Sequence, residues 1–226
     1  MLLWNLGLLF DEPLVFITLV AVVSIALLVA ITVHEFGHAL VASLLGDPTA
    51  KRLGRLSLNP LRHLDPMGTL MIFLVGFGWG KPVPVNYQLL GGNPRRRMAL
   101  IASAGALLNL VTAALFGGLI RVGLLSWQSP GAFFGWELSS VVAMVVGYII
   151  LLNIILAVFN LIPIPPLDGF NIAVGVLPER QANALLRVER YGPIILLIVV
   201  FLGYFTGFLW EILMWPVNGF IRLFVG

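Results

Sequence analysis

Cysteine is absent from this 226-residue sequence, histidine occurs three times, and charged residues make up only 10% of it. Without cysteine there is no disulfide framework and no thiolate metal site, so a bound metal has to be held by histidine and carboxylate. An ordinary soluble domain is about one-quarter charged; a chain this poor in charge cannot cover itself with a water-facing surface. Apolar residues take its place: 60% of the sequence is hydrophobic and the mean hydropathy is +1.04, the signature of a polytopic membrane protein. There is no internal repeat and no low-complexity linker. The formal charge of +3 sits in short loops between apolar runs, which is what membrane orientation requires, so the expected environment is a lipid bilayer and nucleic acid is not an expected partner. Asp11 and Glu12 precede the first long apolar run and no basic segment does, so a cleaved signal peptide is not expected.

The apolar pattern predicts an all-α polytopic membrane protein, with about four transmembrane helices plus a re-entrant loop or β-hairpin. Residues 1–226 read as a single membrane domain, with a core of about 14–177 and a C-terminal span of about 193–215. A bilayer core needs about 20 helical residues. The run from Leu14 to Leu45 exceeds that, and its only ionisable residues are His34, Glu35 and His38. Further spans are expected at about 98–120 and 138–159. Residues 67–80 are apolar but too short to span. They lead into Lys81-Pro-Val-Pro-Val-Asn86, where alternating prolines favour extended backbone over helix. Irregular backbone at membrane depth needs protein or a water-filled cavity to satisfy it. The small residues of Ala102-Ser-Ala-Gly-Ala106 allow close helix approach in lipid.

Orientation follows from the distribution of Lys and Arg. Residues 46–97 carry eight against Asp47 and Asp65, and residues 160–192 carry three Arg. The segments before Leu14 and across 121–137 are poor in basic residues. The positive-inside rule therefore places the two basic segments in the cytoplasm and the N-terminus outside.

His34-Glu35-Phe36-Gly37-His38 is an HExxH pattern. On a helix, positions i and i+4 share a face, so both imidazoles reach one metal and Glu35 lies beside its open position as a general base. Ionisable groups inside a spanning helix cost on the order of 3 kcal/mol each on insertion scales and usually mark function. A catalytic zinc site takes three protein ligands, so one more is required. His63 and Asp168 are the main candidates, with Asp65 and Glu137 behind them. His63 follows Arg62 in a basic loop, where a surface histidine is the ordinary expectation. Asp168 follows the third span on the cytoplasmic side. The HExxH lies toward that side too, since Leu45 is seven residues, about 10 Å of helix, beyond His38.

HExxH in one span and Asn160-Leu-Ile-Pro-Ile-Pro-Pro-Leu-Asp168-Gly169 after a later one resemble the signature of the site-2 protease family of intramembrane metalloproteases. Gly68 to Asn86 and Ala104-Gly-Ala-Leu-Leu-Asn109 are similar to that family as well; the likeness covers roughly residues 30–175. Where the family's second-span motif usually has proline after the glycine, this chain has Ala106. The resemblance implies one Zn²⁺ per chain, held by His34, His38 and Asp168, with Glu35 catalytic. It implies transmembrane protein substrates, cleaved near the cytoplasmic side of a prokaryotic cell membrane in regulated intramembrane proteolysis. It also offers Asn109, Asn160, Val83, Val85 and Asn86 as substrate-binding candidates. An interhelical hydrogen-bonding role for Asn109 and a loop-orienting role for Asn160 stand beside that reading. No PDZ or CBS domain of the kind some relatives carry is expected, which leaves regulation to a membrane partner or a homo-oligomer. Two other functions use the same residues: a catalytically silent zinc-containing scaffold or chaperone, against which the intact Glu35 argues, and a metal transporter, which would need further ligands along a path.

Overall fold

The computed structural model describes residues 6–75, 78–128, 130 and 136–226, of which residue 6 and residues 72–75 are described as backbone only. Short α1 (Leu6–Asp11) leads into α2 (Pro13–Leu44), which carries the HExxH. At 1.5 Å per residue its 32 residues run about 48 Å, longer than a hydrocarbon core of about 30 Å. The segment after α2 holds α3 (Thr49–Arg52), a 3₁₀ turn at Pro60–Arg62 and α4 (Pro66–Val75). Two more long apolar helices follow, α5 (Pro94–Arg121) and α6 (Leu138–Asn160). After them come α7 (Asp168–Val176), α8 (Glu179–Val188), α9 (Gly192–Thr206) and α10 (Phe208–Phe224).

Among the described residues three helices, α2, α5 and α6, are each long and apolar enough to cross a membrane, and they pack on one another, with α7 laid against α5. This is an all-α integral membrane protein. Because lipid is as apolar as leucine, helices associate there through close packing and polar contacts rather than by hydrophobic burial. The interface meets that demand: Ala102, Ala104, Ala106 and Ala113 of α5 are all buried. One apolar cluster joins Val22, Val23 and Ala26 of α2 to Met144, Tyr148 and Ile149 of α6. A second joins Ile150 and Ile154 of α6 to Leu213 and Val217 of α10.

Two expectations are refined. The fourth span, expected as one helix over about 193–215, is broken: the segment ending at Thr206 and the helix Phe208–Phe224 meet at 90°. Gly207, at φ 75°, occupies the left-handed conformation that ends a helix. The re-entrant segment is built on a helix rather than on paired strands. Asp65 caps α4 by accepting from the Gly68 N–H at 2.8 Å. Beyond residues 76–77, which lie outside the described residues, the chain runs from 78 to 86 without helix or strand and makes one antiparallel bridge, Leu64 to Gly80.

Candidate metal centre

The α2 helix places His34 and His38 one turn apart on its buried face, with ring centroids 4.6 Å apart and planes at 89°. Asp168, the first residue of α7, meets them there. Its Oδ2 lies 3.0 Å from His34 Nε2 and 3.2 Å from His38 Nε2. These are the ion-pair-range contacts found among the described residues, and the same three side chains form the cluster able to hold a metal. Ligand atoms about 2.0–2.1 Å from a tetrahedral ion are about 3.3 Å from one another, so the observed spacing suits a small divalent cation.

Hydrogen bonding sets which nitrogens face the centre. His34 Nδ1 lies 2.9 Å from Asn109 Oδ1, and His38 Nδ1 lies 2.8 Å from the Ile101 carbonyl. Both partners are acceptors, so each Nδ1 carries the proton and each Nε2 turns a lone pair inward. Asp168 Oδ2 is buried and receives no hydrogen bond. Three lone pairs converging on one point repel each other unless a cation sits among them, so these residues fit a metal.

One face of α5 builds the rear wall. Residues 101, 105 and 109 recur every four positions and so lie along one stripe. Ile101 and Asn109 hold the imidazoles, and Gly105 makes room for them: a Cβ there would stand 2.6 Å from His38 Nε2 and 2.7 Å from His34 Cε1. At α7, Gly169 lets the helix start against the Leu161 and Ile162 carbonyls, which a side chain would strike. Arg95 of α5 ties the other end of α7 by donating to Leu177 O at 3.1 Å.

The segment 78–86 supplies a further wall. Glu35 Oε2 accepts from the Val83 N–H at 3.1 Å. Arg55 Nη2 donates to the Lys81 and Pro82 carbonyls, each at 3.0 Å, and the Lys81 N–H donates to His63 O at 2.7 Å. Buried Asp47 accepts from the Thr49 N–H at 2.9 Å and the Asn86 N–H at 2.6 Å. Burial opposes ionisation of Asp47, but hydrogen bonds from the Thr49 side chain and backbone and from Asn86 outweigh it and hold the carboxyl below its ordinary value.

The other candidate residues fall as follows. His63 is 0% exposed rather than on the surface, and its Nε2 donates to Ser57 O at 2.7 Å, which anchors the loop beside Lys81. Asp65 and Glu137 stand at the N-terminal caps of α4 and α6. Asn109 is fully buried, with Nδ2 donating to Ala30 O at 3.1 Å and to Asn153 Oδ1 at 2.9 Å. Asn160 Nδ2 donates back to Leu156 O at 3.0 Å. Val85 packs against Ala42, Leu90 and Ile101, and Asn86 Oδ1 accepts from the Gln88 N–H at 3.0 Å. Sequence reasoning passed over Asn153, whose signal was an amide placed inside an apolar span.

Comparison with known proteins gives concordant findings. The model of Peptidase family M50 matches residues 123–205, a stretch that includes Asn160 and Asp168. The chain is 37% identical over 201 residues to "Putative zinc metalloprotease YwhC" of Bacillus subtilis, covering 88% of this chain and 87% of that protein. Proteins of the same description named Rip2 are 29% identical in Mycolicibacterium smegmatis and 28% in Mycobacterium tuberculosis, each over 90% of this chain and 76% of the relative. No solved structure matches the chain at a significant level.

Proposed function

This chain belongs to peptidase family M50, the site-2 protease family of zinc-dependent metalloproteases, and on that footing we propose that it hydrolyses peptide bonds of transmembrane protein substrates at the centre formed by His34, His38 and Asp168. The whole chain acts as one membrane metalloprotease domain. The observation that carries the reading is the convergence of two Nε2 lone pairs and an undonated carboxylate oxygen beside Glu35.

His34, His38 and Asp168 would hold the zinc, which when bound would supply Lewis acidity to polarise the scissile carbonyl and acidify water. Glu35 is the general base and then the acid: its carboxylate takes a proton from the attacking water and passes it to the leaving amide nitrogen. The Val83 N–H orients that carboxylate by holding Oε2.

A transmembrane helix shields its peptide bonds in its own hydrogen bonds, so the substrate has to unwind before attack. The 81–86 segment offers an edge for the unwound strand. Pro82 and Pro84 carry no N–H, and the Val83 N–H is taken by Glu35. This leaves the Val85 N–H, two residues on and so on the same side of an extended strand, as the donor for the substrate. That side is the one on which Val83 reaches Glu35, so an incoming strand would lie along the centre. Asn160 is the remaining substrate-contacting candidate, since its Oδ1 has no partner among the described residues. The centre works near the cytoplasmic face of a prokaryotic cell membrane, in regulated intramembrane proteolysis.

The test is Glu35→Gln in purified protein that still carries one zinc per chain. Cleavage of a panel of tagged single-span membrane proteins in proteoliposomes is expected to fall by at least about 100-fold. Undiminished cleavage with zinc retained would defeat the proposal.

A further inference from the structure

We propose that Asn153 and Asn109 form an amide relay across three helices that sets the tautomer of His34, which makes both of them positioning residues for the metal centre. The inference rests on the reading of His34 as a ligand.

The relay is fixed at its outer end by a group that can only accept. Asn153 Nδ2 donates to Ile149 O at 2.8 Å within α6. A backbone carbonyl has no proton to give, so the Asn153 amide has one orientation, with Oδ1 turned toward α5. There it accepts from Asn109 Nδ2 at 2.9 Å. The same Asn109 nitrogen reaches Ala30 O of α2 at 3.1 Å, a second obligate acceptor. Asn109 is therefore fixed as well, and its Oδ1 faces His34 Nδ1 at 2.9 Å. An oxygen there requires the proton on Nδ1 and leaves Nε2 as the lone pair directed at Asp168. A flip of either amide would set oxygen against oxygen or nitrogen against an N–H, at 0% exposure, where no water can repair the mismatch.

His38 needs no such device, because the Ile101 carbonyl accepts from its Nδ1 directly. His34 Nδ1 instead meets the amide oxygen of a side chain, and that side chain could rotate if nothing held it. Asn153 and the Ala30 carbonyl together hold it. The relay also leaves Asn109 no free donor, since both acceptors on Nδ2 and the histidine on Oδ1 account for its amide. Its role is thereby moved from substrate contact to support of the metal ligand.

Loss of such outer partners typically weakens metal binding by 10–100-fold. The experiment uses the full chain in detergent. Zinc affinity is read by competition with a chromogenic chelator, and ligand geometry is read from the visible absorption of the cobalt(II)-loaded protein. Asn109→Leu should weaken zinc by about 10–100-fold and alter the cobalt bands, and Asn153→Leu should act in the same direction to a smaller extent. Asn109→Asp still accepts from His34 Nδ1 but sets its second oxygen against Ala30 O and Asn153 Oδ1. It should therefore bind zinc more tightly than Asn109→Leu and less tightly than the parent, with cobalt bands nearer the parent's. Affinity as poor as that of Asn109→Leu would show a merely structural role and overturn the relay, as would parental affinity in both leucine variants. Helicity of the metal-free proteins is read separately; if Asn153→Leu loses it, Asn153→Ser takes its place with the same expectation. Should the parent protein itself bind no zinc, or His34→Ala bind it unchanged, the ligand assignment falls instead.

Discussion

Each of the two imidazoles has its Nδ1 held by an acceptor and its Nε2 turned toward Asp168, so the chemistry of the site is decided by single atoms. In the proposed centre Asp168 would be the only anionic ligand of the three, and its truncation would leave two neutral nitrogens. Asp168→Ala should reduce zinc in the purified protein from one per chain to nearly none, an affinity loss of at least about 100-fold, measured by elemental analysis. Gly105→Ala tests the rear wall: a methyl group 2.6–2.7 Å from both rings must push them aside. Zinc affinity should fall about 10-fold or more while the metal-free helical content stays parental; unchanged affinity would mean that the rings have slack that the geometry does not show. His63 makes the contrast. A histidine in a basic loop reads as exposed, and only its bond to Ser57 and its place beside Lys81 explain its burial.

At the scale of elements, the segment 78–86 is held by side chains from the surrounding loops and from α2, and Asp47 is its distal anchor. A hydrogen bond to a charged group contributes about 1.5–3 kcal/mol. Asp47→Ala should therefore destabilise the attachment of residues 80–90 by about that much, seen as faster amide hydrogen exchange there and little change in α5 or α6. Because the native carboxyl sits below its ordinary value of 3.8, its contribution is present above that pH and is lost as the pH falls through the native value. Acid melting should show this loss in the parent and a flat response in the same window for Asp47→Asn. Proline alternation made the absence of helix over 81–86 legible, and the shortness of the 67–80 run made it legible as a non-spanning segment. The bond from Val83 to Glu35 was not, since it joins residues 48 positions apart. The break at Gly207 was hidden for a different reason: in an apolar run one glycine looks the same whether the helix continues or turns.

For the whole molecule, the proposed orientation puts residues 46–97 and 160–192 on the cytoplasmic side and 121–137 outside. The absence of cysteine makes this directly measurable. Ser126→Cys should react with a membrane-impermeant maleimide applied to intact cells. Gln88→Cys, also exposed on the protein, should react only after the membrane is opened. The reverse pattern would invert the topology and place the metal centre toward the outer leaflet.

The amino-acid order by itself determined the membrane class, the long helices and the HExxH face, because hydropathy and a four-residue repeat are local properties that no distant contact can change. It also offered Asp168 as a third ligand, but among alternatives, since spacing along a chain says nothing about which carboxylate arrives. Tertiary structure decided that arrival, the direction of each imidazole and the entry of Asn153 into the site. Those depend on three helices meeting at one depth, where every buried donor must find an acceptor and a lone pair left over must face something positive.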